Sequence, residues 1–305
     1  MTMNGFWRDL RGNNQRVGLT GFGQINNTWY LFPDGNGPRG SFTTFAALAP
    51  NLKSRDTIIL GGVLREQAVA PLGIYDVSII GAANRPRQAT SGGSPTGGGA
   101  SWLAPASGAV AATPLLELRA AGWNIDGIEF TPHNGSAAIR LTRSAAVDTI
   151  DASHFSLTNC LIGANGGTTS IGVEDNGGSS RVLIEGCRFE GLAGTAILGL
   201  NTAAAVPLGW IVRGNLFLRN TNAIAMSSSQ GLFQGNIINQ AANDANNKIN
   251  LVSVAGQGDL NRVLDNQFSD AAANVTIAKG YKPGTTDVWR NWVTDSAAMI
   301  ITVPA

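Results

Sequence analysis

Charge is scarce in this chain. Asp, Glu, Lys and Arg make up 13% of the 305 residues, about half the share of an average soluble protein. The 21 basic and 20 acidic residues nearly cancel and leave a net charge of +1. Nothing electrostatic therefore points to nucleic acid or an anionic membrane surface as a partner. Cysteine is scarcer still. Cys160 and Cys187 are the only two, too few for a disulfide-framed secreted fold. Only two histidines exist, His133 and His154, and no Cys/His cluster has zinc spacing, so neither a metal nor a cofactor is expected. No apolar run nears the ~18 residues of a membrane-spanning helix, and membrane insertion is not expected. The first residues, Met1-Thr-Met-Asn-Gly-Phe-Trp-Arg-Asp-Leu-Arg11, lack the apolar stretch of a secretory signal, so the expected site of synthesis is a cytoplasm without general export.

What is present is glycine, 39 residues of it, and a repeat. Seven segments share one pattern: Trp123–Phe130, Phe155–Ile162, Val182–Phe189, Trp210–Phe217, Gly231–Ile238, Asn261–Phe268 and Thr286–Val293. Their sixth residues are Ile128, Cys160, Cys187, Asn215, Asn236, Asn266 and Asn291, separated by 32, 27, 28, 21, 30 and 25 residues. Three places before this anchor stand Ile125, Leu157, Ile184, Val212, Phe233, Val263 and Val288. Two places after it stand Phe130, Ile162, Phe189, Phe217, Ile238, Phe268 and Val293. Both columns are wholly apolar with mostly polar flanks, which reads as two short strands with alternating faces. The residue just before the anchor is Gly127, Asn159, Gly186, Gly214, Gly235, Asp265 or Arg290. Glycine, Asn and Asp suit a bend at positive φ between the strands.

A third strand is expected in each copy, near 138–141, 170–173, 196–198, 223–226, 248–251, 275–277 and 299–303. Three strands per coil of about 27 residues make a parallel solenoid, because one coil cannot bury its apolar columns alone. The anchor column then stacks asparagine on asparagine. Cys160 and Cys187 share that column one coil apart, where Cα atoms about 4.8 Å apart fall within disulfide range; two buried thiols are the other reading. Upstream, Asp56-Thr-Ile-Ile-Leu-Gly61 and Tyr75-Asp-Val-Ser-Ile-Ile-Gly81 read as earlier coil strands. A short helix at about 41–49 would cap the open end.

The order of Asp34-Gly-Asn-Gly37, cap helix, Asp56–Leu60, Val77–Gly81 and Asn-anchored coils resembles the pectate-lyase-like superfamily over roughly residues 30 to 300. The resemblance is strongest to phage virion-associated members. It implies an all-β, single-stranded right-handed parallel β-helix, and the handedness rests on the resemblance. Residues 1–29 are expected as an extended N-terminal arm, 30–305 as the β-helix domain, and 84–114 as a long loop.

The superfamily holds lyases, hydrolases, phage tailspikes and structural proteins, so the fold alone names no activity. The lyases' Trp-Ile-Asp-His and Arg-x-Pro-x-x-Arg motifs are absent, as are the Asn-Thr-Asp, Gly-His-Gly and Arg-Ile-Lys motifs of the related hydrolases. The outward columns still offer a carboxylate–arginine constellation: Asp126 and Glu185 two coils apart with Arg213 beyond, and Glu129 with Arg188 on the next column. A solvated face of alternating charge accounts for the same residues. Leu161, Leu183, Ile211, Leu216, Leu232, Ile237, Leu264, Trp289 and Trp292 also fall in outward columns, where together they would form an apolar wall. The expectation is therefore a non-enzymatic virion structural protein of a tailed bacteriophage, a head decoration, fibre or compact tailspike-like subunit. It would assemble as a homotrimer through that wall and dock on capsid or tail proteins through the arm. The alternative is a tailspike-type polysaccharide depolymerase, or an adhesin that binds host surface glycan on Trp289 and Trp292.

Overall fold

In a computed structural model, the described residues are 5–8, 14–17, 27–82, 99–144, 146–163, 170–199, 206–239, 249–251, 260–269, 278–279, 287–289, 291–293 and 298–300. The chain winds as a single right-handed parallel β-helix whose strands stack into three sheets of ten, ten and eight strands. Sheet I runs from Thr28–Leu31 through Thr57–Leu60, Ser78–Gly81 and Asn124–Asp126 to Asp287–Trp289. Sheet II begins at Gly62–Arg65 and Ala100–Leu103. Sheet III begins at Ala68–Val69 and Leu116–Leu118.

The register follows the apolar columns. Ile125 pairs with Leu157, Leu157 with Ile184, Ile184 with Val212, Val212 with Phe233, Phe233 with Val263 and Val263 with Val288. On sheet II, Phe130 pairs with Ile162, and the line continues through Phe189, Phe217, Ile238 and Phe268 to Val293. Stacking puts like on like: the Phe189 and Phe217 rings lie 5.0 Å apart and nearly parallel. Trp102, Trp123 and Trp210 are wholly buried, and each indole N–H donates to a backbone carbonyl, of Glu66, Ile74 and Ser179. Each thus buries a large ring without orphaning its donor.

The bend between sheets I and II is left-handed in every described rung from Gly127 to Asp265, including Asn159 at φ 52°. A second left-handed column lies two residues before the sheet I strands: Arg55, Asp76, Gly122, His154, Arg181, Gly209, Gln230 and Leu260. Inside the first bend the asparagine ladder is complete. The Asn215 backbone N–H and Nδ2 both donate to Asn236 Oδ1, at 3.0 and 3.1 Å. Asn236 donates likewise to Asn266, and Asn266 to Asn291. Cys160 and Cys187 continue this column as buried free thiols. The Cys187 thiol contacts Leu157 O at 3.4 Å, where each asparagine Nδ2 reaches the equivalent carbonyl. Burial, with Cys187 alongside, pushes the Cys160 thiol well above its usual range.

Four segments depart from the expectations. The cap helix is shorter, Phe45–Leu48 with a 3₁₀ turn Ala49–Asn51, and Thr44 Oγ1 caps it by accepting from Ala47 N. The Glu66 carboxylate accepts from the Phe45 and Ala46 N–H groups. Its burial raises its pKa against those two bonds. Within 84–114, Ala100–Leu103 is a strand of sheet II; residues 82–99 separate it in sequence from the sheet I strand Ser78–Gly81, so the short spacing that marks the repeat is missing. Residues 5–8 and 14–17 of the expected arm pair as an antiparallel hairpin, and residues 28–31 already form a rung. The last expected third strand, near 299–303, is instead Ala298–Ile300, which pairs antiparallel with Asn291–Val293 and covers the final open edge of sheet II.

Candidate functional site

Sheets I and II carry the residues singled out from sequence. Asp126, Thr158, Glu185 and Arg213 stand in one register row on sheet I. Asp126 Oδ1 accepts from Thr158 Oγ1 and Asn159 Nδ2, both at 2.8 Å. Glu185 gives both oxygens to Arg213, at 2.8 and 3.1 Å, in a solvent-facing bidentate pair. That carboxylate holds the guanidinium in its charged form and raises its pKa. Glu129 and Arg188 do not join this row. Glu129 is buried and accepts from Ser101 Oγ at 3.2 Å, so no substrate can reach it. Arg188, two rungs on, pairs with Glu190 at 2.7 Å.

The expected apolar wall breaks into stripes. Leu183, Ile211 and Leu232 stack on sheet I, and Leu216 and Ile237 on sheet II. Leu161 is buried, only Ile237 of these is exposed, at 42%, and the other four, with Leu264, are half-buried. Arg188, Arg262 and Gln267 interrupt the stripes. The side chains of Trp289 and Trp292 lie outside the described residues.

Sheet III holds a constellation that the sequence reading missed. Glu117, Arg140 and Glu174 are register neighbours on three consecutive rungs. Arg140 Nε donates to Glu174 Oε2 at 2.7 Å and its Nη2 to the Ala112 carbonyl at 2.8 Å. Glu117 Oε1 accepts from Arg119 Nε and Thr142 Oγ1. The three side chains are 15%, 21% and 22% exposed, well below the 40% and 48% of Glu185 and Arg213. Sheet III also has the longest strands, six residues in Ala137–Thr142 and Ile171–Asn176. The excursions 104–115 and 143–155 lie at its two sides. Loops around a rigid scaffold are where binding groups concentrate. The spacing hides the set, because 34 residues separate Arg140 from Glu174.

Glu174-Asp175-Asn176 reads as a turn in sequence but is strand. Asp175 points inward, is buried, and accepts from the Ser179 N–H at 3.0 and 3.2 Å. Burial raises its pKa to about 6, against the pull of those bonds and of Arg143. Among the described residues no group of three or more His, Cys, Asp and Glu could hold a metal ion.

No family model matches the chain, and no curated protein matches it. Solved structures do. An alginate lyase from Paenibacillus is similar over 88% of this chain and 98% of its own, at 15% identity and a TM-score of 0.47. A DFA-IIIase from Arthrobacter chlorophenolicus is similar over 90% and 87%, at 12% identity and 0.43. A pectate lyase is similar over 90% and 82%, at 12% identity and 0.35. The neighbours are parallel β-helices of pectate and alginate lyase type. Likeness at such identity bears on fold alone. The expectation of a non-enzymatic virion structural protein is corrected here: the neighbours just named are enzymes, and none is described as a virion component.

Proposed function

We propose that this chain is a polysaccharide depolymerase that lays its substrate along the solenoid axis, across the outer face of sheet III. The observation that carries the reading is the row Glu117, Arg140, Glu174, half-buried on consecutive rungs between two excursions. Two rungs separate the glutamates by about 9–10 Å at the backbone. Inverting glycoside hydrolysis uses carboxyl groups about 6.5–9.5 Å apart, with room for a water. Glu117 and Glu174 are the carboxylate pair in this reading, and Arg140 holds the sugar unit between them. The sheet I row fits the chemistry less well, because Glu185 spends both oxygens on Arg213.

The test is digestion of a panel of neutral and acidic polysaccharides. Cleavage is expected, with Glu117→Gln and Glu174→Gln each lowering turnover on the order of 100-fold while thermal unfolding is unchanged. Asp126→Asn should retain activity. Absence of cleavage across the panel, or full activity in both glutamine variants, overturns the proposal. Products with unsaturated ends would replace the hydrolytic step by elimination at the same site.

A further inference from the structure

Gln67 stands in the short link between the first strands of sheets II and III, Gly62–Arg65 and Ala68–Val69. Its side chain reaches the excursion 104–115, 43 residues further along the sequence. Gln67 Oε1 accepts from the Val110 N–H at 2.9 Å, and Nε2 donates to the Val110 and Thr113 carbonyls at 2.9 and 2.7 Å. One amide thus satisfies both backbone groups of Val110, as a paired strand would. Between the two anchor points runs a turn. The Thr113 N–H donates to the Val110 carbonyl at 3.2 Å, and the third residue, Ala112, has a φ of 63°. Turns usually place glycine there, so alanine holds the position at a steric cost. Val110, Ala111 and Ala112 are exposed, and burial does not fix them.

The Ala112 carbonyl is the one that accepts from Arg140 Nη2, at 2.8 Å, while Arg140 Nε is held by Glu174 at 2.7 Å. The guanidinium is therefore gripped from two directions. Glu174 orients it along the register row, and the excursion orients it across the row. A planar fork held at two of its nitrogens has a single pose, which leaves its other N–H groups aimed at one place. We propose that Gln67 is a positioning residue for the sheet III site: by clamping the turn Val110–Thr113 it sets the pose of Arg140 between Glu117 and Glu174. The clamp itself is a property of the free chain, and its use on a sugar rests on the depolymerase reading. Gln67 touches none of the three row residues through any bond described above, and it acts through the excursion alone.

The experiment follows the Arg140 Nε–H resonance of the full chain by NMR, assigned by its loss in Arg140→Lys. In Gln67→Ala its exchange with solvent should accelerate on the order of tenfold, the worth of one such hydrogen bond. Gln67→Glu is nearly isosteric but loses both donors and turns a carboxylate toward two carbonyl oxygens, so it should accelerate exchange at least as much. Gly214→Ala, which strains a bend between sheets I and II, should leave the resonance unchanged. On a polysaccharide that the wild type cleaves, both Gln67 variants should raise KM while kcat holds, as expected when a group that grips the sugar is misplaced. The proposal is overturned by wild-type exchange in both Gln67 variants, by equal acceleration in Gly214→Ala, or by an unchanged KM. A wild-type chain that cleaves nothing defeats the depolymerase reading instead, and the exchange rates then decide the clamp by themselves.

Discussion

Asn236 uses every polar atom of its side chain. Its Oδ1 accepts twice from Asn215, and its Nδ2 donates to Asn266 Oδ1 and to the Val212 carbonyl. Asn236→Ala therefore leaves two buried donors of Asn215 without their acceptor, and the expected loss is about 2–4 kcal/mol in chemical denaturation. Cys187→Ala should cost less, since a thiol is a weak donor and only small volume is removed. Asp175 is the other residue to test. Its pKa lies near 6 in the folded chain, above the ordinary 3.8, so folding favours the protonated form. Its contribution to stability is fully present below about pH 4 and is lost as pH rises through 6. Asp175→Asn should flatten the pH dependence between about 4 and 6 and stabilise the chain at pH 7, by an amount on the order of 1–3 kcal/mol. A steeper fall in stability for the variant at pH 7 would show that the Ser179 bonds outweigh burial.

At the scale of strands and bends, two glycines separate two kinds of constraint. A Cβ on Gly214 meets nothing within 4 Å, and only its φ of 61° resists substitution. A Cβ on Gly81 would stand 2.1 Å from the Gly127 carbonyl oxygen, a backbone atom that cannot yield. Gly214→Ala should cost about 1 kcal/mol, and Gly81→Ala clearly more, as read by shifts in melting temperature. These elements also show what was legible. The inner columns and the first bend could be read because burial admits only apolar side chains there and positive φ favours Gly, Asn and Asp. The second left-handed column could not, since Arg55, His154, Arg181 and Leu260 carry no such signature and stacking on neighbouring rungs imposes their geometry. Ala100–Leu103 was hidden because the long stretch of sequence after Gly81 breaks the spacing that marks other rungs. The sheet III row was hidden because unequal turns scatter Glu117, Arg140 and Glu174 along the chain, and because Glu-Asp-Asn favours a turn in isolation.

For the whole molecule, the stacked core must be closed at its ends. Phe45 of the cap helix packs on Trp102, ring centroids 5.6 Å apart, and with Leu48 is buried. Phe45→Ser should open this end and give concentration-dependent association in sedimentation, through the exposed core and strand edges. The asparagine ladder adds an asymmetry between the ends. Each amide gives one hydrogen to the amide oxygen of the next rung and the other to a backbone carbonyl of the previous rung, while its own oxygen accepts from the previous rung, so the amide-to-amide line runs in one sense along the column. Breaking the solenoid ahead of Asn215 would bare a carbonyl oxygen, which proteins tolerate, and the single Nδ2 hydrogen that reaches the Ile184 carbonyl. Breaking it after Asn236 would bare N–H donors, which they rarely do. The stack is thus a one-way chain, in which each rung is completed by the one that follows.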